Sequence, residues 1–349
     1  MAAPSPRPQR ELAAARPLRY LAGMTEALDV VIVGAGPAGL AAAIEAARRS
    51  LQYLVIDQGA VVDSLLHYPT DMVFFTTKER LEIGGVPFPL ARAHPSRTDA
   101  LAYYRQIVQS FALNVRTFEK LTALHGQDGA FHVSTEESSG VGRAYQARKI
   151  VLALGYFSHP NLLGIPGEEL PKVSHYYTEG HAYHRRDVAV IGGRNSAAEA
   201  ALDLHRHGAR VTLIHRRAAI APSVKYWIAP DLGNRIAEGG IRALFETRVL
   251  EIRATELVVE TAGEPACTLA NDFVFALTGY RPDVVLLDQL AIAYDAATLK
   301  PIVDEHFETR RPGIYAIGSM LAGAQSGEVF IENGRFHGQV AIEAIALRR

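Results

Sequence analysis

Asp57 and the run His215-Arg216-Arg217 stand at equivalent places in two copies of one pattern. The first copy runs DVVIVGAGPAGLAAAIEAARRSLQYLVIDQG from Asp29 to Gly59, and the second runs DVAVIGGRNSAAEAALDLHRHGARVTLIHRR from Asp187 to Arg217. Each is an apolar β-branched run, a glycine turn, an Ala-rich amphipathic stretch and a second β run. From Gly34 to Asp57 is 23 positions, and from Gly192 to His215 is also 23. A carboxylate at the tip of the second strand accepts hydrogen bonds from an adenosine ribose and repels a 2′-phosphate. Paired guanidiniums at the same place suit bidentate binding of a 2′-phosphate. The asymmetry predicts two different dinucleotides with a redox reaction between them, and NADPH as the second.

These groups need strand–turn–helix–strand units to hold them. Asp29 to Val33 reads as a buried parallel strand, followed by Gly34, Gly36 and Gly39 as G-x-G-x-x-G. Gly34 allows the tight turn, Gly36 lets a pyrophosphate approach the backbone, and Gly39 lets the helix pack on the strand. Pro37 suits the first helical turn, whose amides and dipole face the phosphates. In the second unit Val188 to Ile191 is the strand, and Gly192, Gly193, Arg194, Asn195 and Ser196 form the turn. Arg194 fills the slot of the middle glycine, and Asn195 or Ser196 is placed to cap the helix. Short strands ending in glycine recur at Ile150–Gly155 and Gly313–Gly318, and a helix is expected from about Asn333 to Ala346. Pro160, Pro166 and Pro171 read as linker. The pattern predicts a tail over 1–25, a first dinucleotide domain over 26–160, a second inserted over 161–278, and a return to the first over 279–349.

The rest of the composition narrows the function classes. The chain has 349 residues, 36 basic and 37 acidic, with a formal net charge of −1. Such a balance gives no basic field for a phosphate backbone, which argues against nucleic acid as a partner. No stretch approaches the roughly 20 apolar residues of a membrane helix. The single cysteine, Cys267, excludes a disulfide framework and an intramolecular dithiol, and fits a reducing cytoplasm. Its strand-like surroundings predict a small buried residue. Met24, just ahead of TEALDVVIVG, reads as a natural start, with the Pro- and Arg-rich residues before it as a disordered tail.

The order of motifs resembles the two-dinucleotide flavoproteins of the thioredoxin-reductase type, and most closely the bacillithiol-disulfide reductase family. The resemblance covers about Leu28 to Ala346. It includes HYPTDMVFFTT (His67 to Thr77), IGGVPF (Ile83 to Phe88), LPKVSHY (Leu170 to Tyr176), IGGRNSAAEAALDL (Ile191 to Leu204) and FIENGRFHG (Phe330 to Gly338). It implies an α/β fold with two Rossmann-like domains, an NADPH domain inserted into an FAD domain. It implies FAD on Gly34, Gly36, Pro37, Ala38, Gly39, Asp57, Gln58, Gly155, Gly318, Ser319 and Ile331. NADPH is expected on Gly192, Gly193, Arg194, Asn195, Ser196, His215, Arg216 and Arg217, with the second domain moving on its linkers to deliver it.

Two departures matter. Thioredoxin reductases carry a CxxC before the second turn, where this chain has Tyr176-Tyr-Thr-Glu179. The bacillithiol family carries a cysteine in its first turn, where this chain has Ala38. A thiolate at a helix N-terminus attacks disulfides, and alanine cannot. The resemblance therefore implies an FAD-dependent NADPH oxidoreductase, cytoplasmic and often homodimeric, that acts on an oxidised low-molecular-weight thiol. The alternatives are a diaphorase serving ferredoxin, flavodoxin or quinone, and a non-turnover redox sensor. Ser319 stands where relatives often place an aspartate on the ribityl chain, and Glu332 and His337 lie in the segment that approaches the flavin ring. His175, His181 and His184 beside Glu179 lack the further ligand a metal site needs, and no metal is expected.

Overall fold

The computed structural model describes residues 27–325 and 327–348. The expected tail and the question of Met24 lie outside the described residues. Among the described residues, fifteen strands and eight α-helices make up the two repeated units and what is built around them.

In the first unit β1 (Leu28–Val33) pairs in parallel with β2 (Tyr53–Ile56), which pairs with β3 (Val115–Arg116). Strands β4 (Glu119–Gln127), β5 (Ala130–Glu137) and β6 (Gly142–Leu152) form an antiparallel meander. The far half of β6 then turns parallel partner, lying beside β1 with Val33 opposite Leu152. This explains why the strand recognised at Ile150–Gly155 extends back to Gly142: the added residues pair with β5 and alternate between faces, outside the buried apolar run. Helix α1 (Pro37–Arg48) covers one face of the sheet, burying Leu40, Ile44 and four alanines. Short α2 (Asp63–Leu66) follows, then α3 (Arg97–Ser110), which starts on a capping box between Ser96 and Asp99.

In the second unit β7 (Val173–Ser174), β8 (Asp187–Ile191), β9 (Arg210–Ile214), β10 (Ile241–Leu244) and β14 (Phe273–Ala276) form a parallel sheet in the order β10-β9-β8-β14-β7. Helices α4 (Asn195–Arg206) and α5 (Ala229–Ala237) pack beside it, and β11 (Thr247–Ile252), β12 (Glu256–Thr261) and β13 (Cys267–Ala270) form an antiparallel flap. Leu163, Ile165 and Leu170 pack into the core of this unit. The proline-marked segment after Pro160 therefore packs against the second unit through partly buried apolar residues, where the sequence reads as linker. Cys267 opens β13 on an exposed position, contrary to the buried reading. No helix among the described residues is long and apolar enough to cross a membrane.

The chain returns through α6 (Val284–Gln289) to β15 (Ile314–Ala316), which pairs with β6 and completes the first sheet. The closing helix is two: α7 (Ile331–Gly334) and α8 (His337–Leu347). Glycine at the end of α7 is a poor helix continuer. Arg335 beyond it donates to the carbonyls of Glu79 and Glu82, which fixes the break. The two passages between units run antiparallel as a ribbon. Pro160 bridges Tyr280, Asn161 N donates to Gly279 O at 2.9 Å, and Arg281 N donates to His159 O at 2.9 Å.

Candidate functional site

A cleft of about 530 Å³ opens at the C-terminal ends of β1, β2 and β6. This is the place where open α/β sheets bind ligands, and the volume is in the usual range for a buried small molecule. Gly34 takes φ +114°, and a Cβ there would stand 2.3 Å from the Ala153 carbonyl oxygen, so only glycine makes the turn. At Gly36 a Cβ would meet no protein atom within 4 Å. The protein itself does not need the missing side chain at Gly36. The space it leaves lies in the cleft, at the N-terminus of α1, where amides without a side-chain cap face outward. A pyrophosphate fits there by charge and by room.

Asp57 stands at the end of β2. One oxygen accepts from Ala35 N at 2.6 Å and the other from Gly59 N at 2.8 Å, which ties the turn to the strand tip. Burial raises its carboxyl above the usual range, while the two backbone donors pull the other way. Each oxygen retains a lone pair for a ribose hydroxyl. A second, more open groove shares Gln58, Lys120, Leu121, Asp283 and Leu286 with the cleft.

Of the residues expected to hold FAD, Gly34, Gly36, Pro37, Ala38, Asp57, Gln58, Gly155, Gly318, Ser319 and Ile331 all line the cleft. Gly39 lies behind it, where a Cβ would stand 1.9 Å from the Gly34 carbonyl oxygen; its work is the helix–strand contact. Glu332 lines the cleft. His337 instead sits behind Gly318, whose N–H donates to Nδ1 at 3.2 Å, and its ring stacks on Phe307 at 4.3 Å between centroids. Burial pushes this imidazole below its usual range.

Several cleft residues carried no signal in the glycine motifs. Tyr68, Met72, Phe74, Phe75, Tyr156 and Phe157 give the cleft an apolar lining. Tyr68 meets Phe157 edge-on at 4.9 Å, and Phe157 meets Tyr176 and Tyr280 at 5.3 and 4.4 Å. This cluster lies where the ribbon leaves the first unit. Apolar rings with a few polar groups are the lining a planar heterocycle needs. The residues present fit a flavin dinucleotide.

The second turn is divided. Asn195 and Ser196, with Glu199, line the same cleft, while Gly192, Gly193, Arg194, His215, Arg216 and Arg217 stand outside it. The first turn of α4 thus already opens into the first unit's cavity in the described arrangement. The cap of α4 is Arg194, with no side-chain hydrogen bond. Asn195 does not cap the helix; its Oδ1 accepts from Lys225 N at 2.9 Å, because the loop after β9 folds back over the turn. Gly193 lies under the His215 ring, where a Cβ would stand 2.3 Å from Cε1. The His215 Nε2 is buried without a partner among the described residues. Burial, then Arg216 and Arg217, hold this imidazole below its usual range. Arg216 and Arg217 are both exposed. Lys225 and Trp227, which the motifs did not mark, also line the cleft.

No group of three or more His, Cys, Asp or Glu among the described residues is arranged to hold a metal. His175 lies beside Glu168 at 3.5 Å, while Nδ1 of His184 is hydrogen-bonded to the His207 carbonyl at 2.8 Å, so these rings are spent on local contacts.

A profile described as pyridine nucleotide-disulphide oxidoreductase matches residues 31–318. The chain is 41% identical to bacilliredoxin reductase Bdr of Bacillus subtilis (strain 168) over 320 residues, covering 91% of this chain and 97% of that one. The solved bacillithiol disulfide reductase Bdr (YpdA) from Bacillus cereus superposes with a TM-score of 0.90 at 42% identity, covering 93% of this chain and all of that one. Its counterpart from Staphylococcus aureus gives 0.87 at 35% identity, over 93% of this chain and all of that one.

Proposed function

The chain belongs to the pyridine nucleotide-disulphide oxidoreductase family, and from that membership we propose that it is an FAD-dependent NADPH oxidoreductase whose acceptor is an oxidised low-molecular-weight thiol. The bacillithiol disulfide reductases of Bacillus cereus and Staphylococcus aureus that it resembles point to bacillithiol disulfide as that thiol. The observation that carries the reading is the single cleft lined by the first glycine turn and by the N-terminus of α4.

When bound in this cleft, FAD would supply the redox chemistry between NADPH and the acceptor. The chain's own residues supply the rest. The α1 amides and the open space at Gly36 hold a pyrophosphate, and Asp57 holds a ribose. The aromatic walls at Tyr68, Phe74 and Phe157 exclude water from the reacting rings. Arg216 and Arg217 take the 2′-phosphate outside the cleft, while Asn195 and Ser196 line the cleft itself.

Ala38 favours a second reading. With no thiol at the turn and none at Tyr176–Glu179, an acceptor such as a quinone or flavodoxin needs nothing the chain lacks. Anaerobic NADPH oxidation by the purified protein, with and without bacillithiol disulfide, separates the two. Consumption that requires the disulfide supports the first reading. Rapid flavin bleaching with no disulfide-dependent consumption overturns it in favour of the diaphorase.

A further inference from the structure

Lys225 sits in the loop between β9 and α5, and it touches both units. Its backbone N–H donates to Asn195 Oδ1 at 2.9 Å and its ammonium donates to Glu199 Oε1 at 2.6 Å, both on the first turns of α4. Four residues earlier, Ala221 N donates to the Gly193 carbonyl at 2.8 Å. The loop is therefore tied at two points to the second glycine turn. The same ammonium lies 5.7 Å from the centroid of Phe75, in the first unit, and 5.7 Å from that of Trp227. Phe75 meets Phe330 edge-on at 5.8 Å on the rim of the cleft. One cation thus spans from the second unit's helix to the first unit's aromatic rim.

The other contacts named between the units lie near the linkers. Thr70 N donates to the Thr178 carbonyl at 2.8 Å, and His67 meets Tyr176 at 5.9 Å between ring centroids. Tyr176 itself packs on Phe157 and Tyr280 of the ribbon. A body held only beside its hinge is free to swing; a contact on the cleft rim adds a second restraint on the swing. Resting on the reading above, we infer that Lys225 is a positioning residue, the clasp that holds the second unit with the N-terminus of α4 open to the flavin cleft. It acts through Phe75 and Glu199, and NADPH bound to the second unit reaches the cleft when the clasp is closed.

The lone native cysteine makes the test direct. Cys267 is exposed in the second unit, and Ser139 is exposed on the β5–β6 turn of the first. With Ser139→Cys added, nitroxide labels on the two thiols report the distance between units by pulsed electron spin resonance, whether or not a cofactor is bound. The background protein gives one narrow distance distribution. Lys225→Met keeps the apolar stem but removes the cation, and broadens or shifts the distribution; Lys225→Arg keeps it narrow. In anaerobic stopped flow, Lys225→Met slows flavin reduction at saturating NADPH by about tenfold or more, with NADP⁺ affinity within about twofold, and Lys225→Arg restores the rate. An unchanged distance distribution in Lys225→Met overturns the clasp, including when the rate falls, since the lysine would then act on the reaction without setting the geometry. Failure of the background protein to bleach with NADPH would refute the cofactor reading, and the spin-label distances would still decide the clasp.

Discussion

The methyl of Ala38 rests against the bare α-carbon of Gly318: a Cβ built on Gly318 would stand only 2.8 Å from it. Gly318 also holds φ +73°, so a side chain there is strained twice. Gly318→Ala is expected to destabilise the protein by about 1–3 kcal/mol and to lower its flavin content. Thermal melting with and without added FAD checks both.

Ala38 itself faces the cleft at the start of α1. Ala38→Cys places a sulfur where the helix dipole favours a thiolate, with a pKa below the usual value of about 8.5. Two outcomes are expected. The new thiol is alkylated at neutral pH faster than exposed Cys267, and NADPH consumption driven by bacillithiol disulfide rises. Labelling followed by peptide mass spectrometry reads the first, and steady-state assay the second.

Asp57 accepts backbone hydrogen bonds on both oxygens. Asparagine keeps the shape but turns one acceptor into a donor that faces an N–H. The loss of about 1–3 kcal/mol corresponds to a tenfold to hundredfold weaker FAD affinity. Calorimetric titration of the apoprotein measures it, and NADP⁺ affinity is expected to stay unchanged.

Arg216 and Arg217 are exposed at the tip of β9. Replacing both with alanine is expected to weaken NADPH by about tenfold to a hundredfold while leaving NADH within about twofold. Equal NADPH affinity in the double variant and the parent protein refutes the assignment of the 2′-phosphate to this pair.

His215 supplies a pH dependence. Burial and the two neighbouring guanidiniums depress its folded pKa, so the unfolded chain takes up a proton that the folded chain refuses. Its contribution is complete above the ordinary imidazole value of about 6.5 and is lost as pH falls below it. The melting temperature of the second unit should drop on acidification through this range, and His215→Gln should flatten that drop. Melting curves of the two proteins across pH test the difference.

Both βαβ units were legible because glycine turns and tip charges are local features, set by what one turn needs. Gly34, Asp57 and Gly193 therefore carry their environment in their own sequence. The cleft walls were not legible in this way. Tyr68, Phe75, Lys225 and Trp227 come together only after the second unit docks on the first, and nothing in their neighbours in sequence marks that meeting. The same holds for Asn195, whose side chain reads as a helix cap until the loop carrying Lys225 competes for it. Cys267 misled because an alternating strand reads as half-buried, while β13 is an edge strand of a flap.

β15 closes the first sheet only after the whole second unit has been made, and Gly318, Ser319 and Ile331 follow it in the chain. On the ribosome, the far wall of the cleft therefore emerges only after the second unit. The second unit can fold as a complete body while the first still waits for its final strand. Flavin capture is then a late event in the life of the nascent chain, and a polypeptide truncated before β15 would carry a finished nucleotide module beside an open half-site.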